Sequence, residues 1–254
     1  MGTKGTKEWA ELNLNIYLGC EHDCSYCYAK RMALRFNRIQ DESEWKNMVL
    51  NEKKIKASIP KKYITKEDKQ WHVIRWYMFP SSHDITPSNM NVCIDYLIRI
   101  LTETSGNVLI VSKPHLSVIQ RICDTLMEYR NRIMFRFTIT SLDSELMKEY
   151  EPNAPSFEER LTALRYAIFH GYTTSVSIEP YLDYNPIPLI RIVAPYVNDT
   201  IWLGIMSGHK YVFHTKNLLT KIISKIISLP EDILKKVRLK DSIRNLGFEL
   251  LYGT

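Results

Sequence analysis

The sequence predicts an α/β protein built on a parallel sheet of about six strands joined by helical crossovers. Two observations carry that expectation. From about residue 72 onward, short β-rich apolar runs alternate with stretches that are apolar at helical spacing. The chain is also long enough, at 254 residues with 45% apolar and 24% charged side chains, to form one large domain around its own core. An open doubly wound sheet and an incomplete barrel both satisfy the alternation. In either, functional side chains gather at the carboxyl ends of the strands.

The first strand is predicted over Glu11–Leu18, where polar and apolar residues alternate, and Gly19 lets the chain turn out of it. Tyr28–Ile39 reads as a helix directing Met32, Leu34 and Phe36 to a core. Residues 41–70 form an irregular lysine-rich insert with a short helix near Trp45–Leu50. His72–Phe79, rich in aromatic and β-branched residues, is the second strand. Thr86 as N-cap and Pro87 in the first turn open a helix whose apolar stripe is Met90, Cys93, Ile94, Leu97, Ile100 and Leu101. Asn107–Ser112 is the third strand, Leu116–Leu126 the next helix and Ile133–Thr140 the fourth strand. Ser156 with Glu159 makes a capping-box signature for a helix that closes at Gly171. Thr173–Glu179 and Thr200–Met206 are the fifth and sixth strands, on either side of a short helix around Ile187–Val193. The tail, 207–254, is expected to be mainly helical, and 1–254 to be a single domain.

The formal charge is +6, and much of it lies in two regions. Eight lysines fall between Lys46 and Lys69 against Glu52, Glu67 and Asp68; a second basic series from Lys210 to Lys240 includes Lys216, Lys221, Lys225, Lys235, Lys236 and Arg238. Such regions suit an anionic partner, nucleic acid included, and equally an ordinary solvated surface. No apolar run approaches the length of a membrane span, and the first residues lack the apolar core of a signal peptide. Together with clustered thiols, this predicts a reducing, cytoplasmic location and no membrane partner.

The chemistry concentrates in one loop. Cys20, Cys24 and Cys27 are spaced C-x3-C-x2-C directly after the first strand. Three thiolates so close repel one another unless a soft metal or an iron–sulfur cluster binds them. Iron–sulfur clusters commonly take four cysteines, so one metal position is left for a ligand from outside the loop. The competing reading is a structural zinc ion completed by His22 or a distant histidine. Cys93 and Cys123 lie on helical apolar stripes and read as core thiols.

This spacing, with Tyr26 just before the last cysteine, resembles the radical SAM superfamily. Asn15–Lys30, Leu109–Lys113, Glu151–Pro155 with Arg160–Leu161, and Ile178–Pro180 are similar, in order, to its spore photoproduct lyase-like branch. The resemblance implies a partial (βα)6 TIM-type barrel, a [4Fe-4S] cluster on Cys20, Cys24 and Cys27, and S-adenosyl-L-methionine bound at the fourth iron. It also implies an external electron donor of flavodoxin or ferredoxin type. One electron would cleave the sulfonium to methionine and a 5′-deoxyadenosyl radical that abstracts hydrogen from a substrate.

Several residues acquire expected roles from it. Tyr26 would pack beside adenine and Tyr28 would neighbour the radical. Ser81 and Ser82 would meet the methionyl amino group, and Lys113 its carboxylate. Thr140 and Ser141 would bond the ribose or the carboxylate, and Glu179 would face adenosine or substrate. His83, with Asp84, is a candidate for substrate binding or proton relay, Asp84 reading equally well as a loop brace. His209 and Lys210 follow the sixth strand, where substrate contacts are expected. Two departures stand out. Pro80-Ser81-Ser82-His83-Asp84 replaces the family's usual Gly-Gly-Glu, and the chain has no cysteine there, where the lyase itself has its hydrogen donor.

The expected function is thus reductive cleavage of S-adenosylmethionine and hydrogen abstraction, with nucleic acid repair or modification, a peptide or a small metabolite as open substrate classes. A non-catalytic zinc-binding or iron–sulfur electron-transfer protein is the alternative.

Overall fold

A computed structural model describes residues 5–64, 69–206 and 211–250. Its frame is a seven-stranded sheet in which neighbouring strands run parallel and sequence order is spatial order. The strands are β1 (Leu12–Asn13), β2 (Trp76–Met78), β3 (Asn107–Ser112), β4 (Ile133–Thr138), β5 (Thr173–Ile178), β6 (Ile201–Leu203) and β7 (Val237–Leu239). This parallel order with helical crossovers is that of a partial TIM-type barrel, as expected. The principal helices are α1 (Tyr28–Arg35), α2 (Met90–Glu103), α3 (Leu116–Thr125), α4 (Ser144–Tyr150), α5 (Phe157–Phe169), α6 (Ile187–Val193) and α7 (Lys216–Ile227).

The central strands are buried on both sides, so they read as nearly continuous apolar runs, as crossover topology requires. Val108, Ile110, Phe135, Phe137, Val176 and Ile178 meet helical residues such as Leu97, Ile122 and Leu164 in one core. Ser156 caps α5 through the Glu159 amide, and Gly171 follows that helix at φ +79°, as the sequence suggests.

Several boundaries differ from expectation. The predicted first strand breaks into Leu12–Asn13 and Tyr17–Leu18, the latter pairing with Val49–Leu50 of the insert. His72–Phe79 likewise splits, because Trp71–Val73 forms a hairpin with Lys62–Ile64 before β2 begins. Thr86 does not cap α2; Asn89 precedes it, and Thr86 and Ser88 sit in the approach turn. The tail contributes β7, a three-residue strand too short to show a pattern.

The sheet ends at β1 and β7, and the segment before β1 clasps this seam. Glu8 Oε1 accepts from the Asp241 amide at 2.9 Å and from Arg244 Nη2 at 3.0 Å, while Oε2 pairs with Lys240 Nζ. Below it, Trp9 and Trp202 pack edge to face at 5.8 Å. The Lys240 ammonium lies 3.9 Å from the Trp9 ring and the Arg136 guanidinium 4.6 Å from it, so two buried cations are held partly by aromatic faces.

Candidate active site

A cavity of about 820 Å³ opens at the carboxyl ends of the strands. Cys20, Cys24, Cys27, Glu179, Lys240 and Asp241 are among the residues that line it. The cysteine loop is fixed from below by the insert. The Cys20 amide donates to Trp45 O at 2.7 Å, and Trp45 packs with Cys20, Ala29 and Ala33. Gly19, at φ +97°, passes so close that a Cβ there would lie 2.7 Å from the carbonyls of Trp45 and Asn47. Only glycine meets both demands.

All five cysteines are free. Burial pushes the Cys24 thiol up to about 12 and raises Cys20 and Cys27 as well, so metal binding must displace protons here. Potential ligand atoms within 4.8 Å of one another are those of Cys20, His22 and Asp84; Cys24 and Cys27 lie outside that group. One tetrahedral zinc with bonds of about 2.3 Å would draw its sulfurs to within about 4 Å of each other. Cys20, Cys24 and Cys27 do not together form such a group, and three soft thiolates are the donor set that an iron–sulfur cluster takes.

Tyr26 is set by a buried network. Its hydroxyl donates to Glu151 Oε1, which also accepts from Thr140 Oγ1 at 2.9 Å, and Arg160 Nη2 lies 2.5 Å from Glu151 Oε2. Burial disfavours charge on Glu151, but Arg160, Lys113 and these hydrogen bonds hold its carboxyl below the usual range. Glu151 is therefore a brace for the cysteine loop.

Lys113, just past β3, lies over the Tyr26 ring with its ammonium 5.6 Å from the centroid. Burial opposes its charge, yet Cys24, Tyr26, Asp84 and Glu151 keep its pKa above the ordinary lysine value. Among the described residues it forms no ion pair within 4.0 Å, so an ammonium faces the cavity beside the cysteines with room for an anion.

The loop after β2 is stitched to the first strand by Asn15. Its Oδ1 accepts from the amides of Ser81 and Ser82 at 2.7 and 2.8 Å, and its Nδ2 donates to Ser81 Oγ at 2.7 Å. Tyr28 Oη donates to Ser81 O at 2.6 Å. Ser81, Ser82 and Tyr28 all line the cavity. His83 lines it too, but its ring packs edge-on against Tyr17 and Phe79, its Nδ1 lies 3.1 Å from Asp84 O, and burial lowers its pKa to about 4.

Asp84 faces inward as a brace. Its Oδ2 lies 2.7 Å from His22 Nδ1 and 3.9 Å from Cys20 Sγ, and its Oδ1 accepts from the Lys113 amide. Burial would raise its pKa, but His22 and Lys113 hold the carboxyl well below the usual range.

Glu179 lines the cavity 3.8 Å from Lys240 Nζ. A Cβ at residue 204 would lie 2.7 Å from its Cγ and Cδ, so Gly204 leaves the space that this side chain occupies. Burial raises its pKa to about 7; Lys240 opposes the rise, and Glu8 and Asp241 add to it.

Thr140 and Ser141 are fully buried outside the cavity lining, with their hydroxyls bonded to Glu151 and Asp183. Thr138, the last residue of β4, and Ser177, the last but one of β5, line it instead. Sequence reasoning missed these, together with Glu8, Asn15, His115 and Lys240. The period-two pattern of β4 and β5 could have located Thr138 and Ser177; nothing local marks the others. His209 and Lys210 lie outside the described residues, as do residues 65–68 of the lysine-rich insert.

No protein-family model matches the chain. It is 26% identical over 199 residues to an uncharacterised protein of Acidianus two-tailed virus, covering 74% of this chain and 60% of that protein. It is 25% identical over 173 residues to an uncharacterised protein of Methanocaldococcus jannaschii, covering 68% and 61%. The chain thus spans about three-fifths of the length of these relatives. Among solved structures, one spore photoproduct lyase variant superposes with a TM-score of 0.52 at 19% identity, covering 94% of this chain and 65% of that one. Another, bound to a dinucleoside spore photoproduct, gives 0.51 at 18%, covering 88% and 63%. The chain therefore has the partial-barrel fold of the spore photoproduct lyases, the radical SAM type that its cysteine loop resembles.

Proposed function

We propose that this chain is a radical SAM enzyme that holds a [4Fe-4S] cluster on Cys20, Cys24 and Cys27 and binds S-adenosylmethionine in the cavity beside them. The observation that carries this is three cysteines, the soft donor set of an iron–sulfur cluster, lining an 820 Å³ cavity together with Lys113. When bound and reduced by an external donor of flavodoxin or ferredoxin type, the cluster supplies the electron that cleaves the sulfonium and so makes a hydrogen-abstracting radical. The chain's own residues orient and enclose. Lys113 pairs with the methionyl carboxylate, and Ser81 and Ser82 offer hydroxyls to its amino group. Tyr26, fixed by Glu151, stacks beside the adenine, and Tyr28 stands at the boundary between cofactor and substrate. Glu179, also on the cavity lining, meets the substrate or adenosine.

Anaerobic reconstitution gives a brown protein that releases 5′-deoxyadenosine from S-adenosylmethionine under strong reductant. Replacing any one of the three cysteines with alanine abolishes both the cluster and the cleavage. A reconstituted cluster that never yields 5′-deoxyadenosine refutes the enzyme reading.

For the substrate we favour nucleic acid. Tyr28, Arg31, Met32 and Arg35 lie along one face of α1 and line the cavity, and the exposed Phe36 sits 5.8 Å from the guanidinium carbons of both Arg35 and Arg38. Cations for phosphates beside an aromatic face for bases are what a single strand needs. A target nucleotide would leave its stack to enter. Binding to a single-stranded oligonucleotide should weaken steeply between low and physiological salt; no binding at low salt removes this substrate class.

The grouping of Cys20, His22 and Asp84 favours a second reading, a mononuclear zinc site without catalysis. Tightly bound zinc and no iron after anaerobic preparation would establish it.

A further inference from the structure

The cysteine loop carries more ligands than a cluster with an open position needs. His22 lies between Cys20 and Cys24, so the loop alone holds three thiols and an imidazole, the donor set of a closed tetrahedral zinc site. A metal centre that must admit S-adenosylmethionine has to keep that imidazole away. This argument rests on the cluster reading above.

Both ring nitrogens of His22 are already engaged. Nδ1 lies 2.7 Å from Asp84 Oδ2, and Nε2 lies 3.0 Å from Nε2 of His115. A nitrogen that donates has no lone pair to offer, and one that accepts has its lone pair in the hydrogen bond. Asp84, ionised, can only accept, so Nδ1 donates to it and the Nε2 lone pair takes the hydrogen bond from His115; neither nitrogen is left for a metal. The carboxylate–imidazole contact is the arrangement that normally points a histidine's other nitrogen at a metal ion. Here that other nitrogen meets His115.

His115 in turn lies beside a carboxylate. The two rings are 5.2 Å apart, and His115 Nδ1 faces Glu159 Oε1 at 3.6 Å. Glu159 Oε1 also accepts from the Leu116 amide at 3.0 Å. The chain Asp84, His22, His115, Glu159 thus ties together the loops after β1, β2 and β3 and the first turn of α5. It runs from a fully buried imidazole to a partly exposed carboxylate.

We propose that His115 is a specificity-determining residue of the metal centre: by occupying Nε2 of His22 it withholds the fourth protein ligand, so the loop takes an iron–sulfur cluster with an open position in place of a closed zinc ion.

The test is anaerobic titration of the metal-free chain with Zn(II), and with Co(II) as the spectroscopic reporter. His115→Ala should bind Zn(II) about tenfold or more tighter than the native chain, the scale on which outer-shell partners usually act. Its Co(II) spectrum should gain a nitrogen ligand. His115→Gln keeps a group that can bond Nε2 and should match the native affinity. Adding His22→Ala to His115→Ala should erase the gain. Unchanged zinc affinity in His115→Ala, or a gain that survives the loss of His22, overturns the proposal. Glu159→Ala leaves the loop untouched and provides a second arm: loosening His115 should raise zinc affinity by a smaller factor, and no rise counts against the proposal. The cluster reading fails separately. If the native chain's own zinc affinity collapses in His22→Ala, His22 is a ligand and the site is a zinc site. If the native chain forms a cluster that binds S-adenosylmethionine while His115→Ala is unaltered toward zinc, only the role of His115 is lost.

Discussion

Glu179→Gln tests the electrostatics of the cavity wall in the metal-free chain. Burial raises the Glu179 carboxyl from 4.5 to about 7, against the pull of Lys240 and with the help of Glu8 and Asp241. About a quarter of the side chain is open, toward the cavity it lines. Between those two pH values the folded chain keeps a proton that the unfolded chain has released. Because the folded-state pKa is the raised one, the cost to stability is absent below about pH 4.5, grows as pH rises, and is constant above about pH 7. At 1.36 kcal/mol per pH unit the full cost is about 3 kcal/mol. Glutamine keeps the shape and removes the titration. Its stability advantage over the native chain should therefore grow by about 2 kcal/mol between pH 5 and pH 8. Urea unfolding of both chains at the two pH values measures this, and every titration that does not sense Glu179 cancels in the difference. A pH-independent difference would show that Glu179 ionises like an exposed carboxyl. An advantage that shrinks with pH would show that its ion pair with Lys240 outweighs burial.

Three further outcomes follow from the same geometry. Glu151→Ala leaves the Arg160 guanidinium buried without its partner and should cost about 3–5 kcal/mol in thermal or urea unfolding. Gly204→Ala places a Cβ 2.7 Å from Glu179 and should cost about 1–3 kcal/mol, most of it recovered when Glu179→Ala is added, in a double-mutant cycle. Lys113→Met should leave the iron content of the reconstituted chain unchanged while weakening S-adenosylmethionine binding by about tenfold or more in equilibrium dialysis, because a charge-assisted hydrogen bond is lost; equal binding would remove Lys113 from the cofactor site.

The alternation of strands and helices was legible because crossover topology buries the central strands on both faces, and β3, β4 and β5 appear as plain apolar runs. The cysteine loop was legible because its three ligands are close in sequence. What failed to show was whatever depends on distant pairing. β7 has three residues, and its strand character comes from β6 beside it. Glu8 and Lys240 are separated by almost the whole chain and meet only because the sheet curls until its two edges face each other. Thr86-Pro87-Ser88 looked like a helix start, but the first turn it would have formed is taken by the approach loop, where Asn89 bonds the Thr86 amide and Asp84 O. The ribose roles expected of Thr140 and Ser141 came from their place after a strand. Their hydroxyls instead hold Glu151 and Asp183 in the frame.

Charge compensation separates the frame of this site from its working surface. A buried ion is costly unless a partner accompanies it. Around the cavity, Glu151 has Arg160, Glu8 has Lys240 and Arg244, and Asp84 has His22. Glu8 and Asp84 join segments far apart in sequence, Glu151 ties Arg160 to Tyr26 of the cysteine loop, and each would be needed in a chain that bound nothing. Lys113 and Glu179 differ. Lys113 forms no ion pair among the described residues, and Glu179 has only the 3.8 Å approach of a lysine already paired with Glu8. Both line the cavity, Lys113 beside the cysteines as its first charged end and Glu179 beside Lys240 as its second. A ligand carrying an anion at the first end and a neutral hydrogen-bonding group at the second would relieve both. The carboxylate of S-adenosylmethionine meets the first requirement. The second then describes what lies beyond it, either the adenosine or the substrate: a group that hydrogen-bonds to a carboxyl poised near neutrality, so its binding should change with pH around 7.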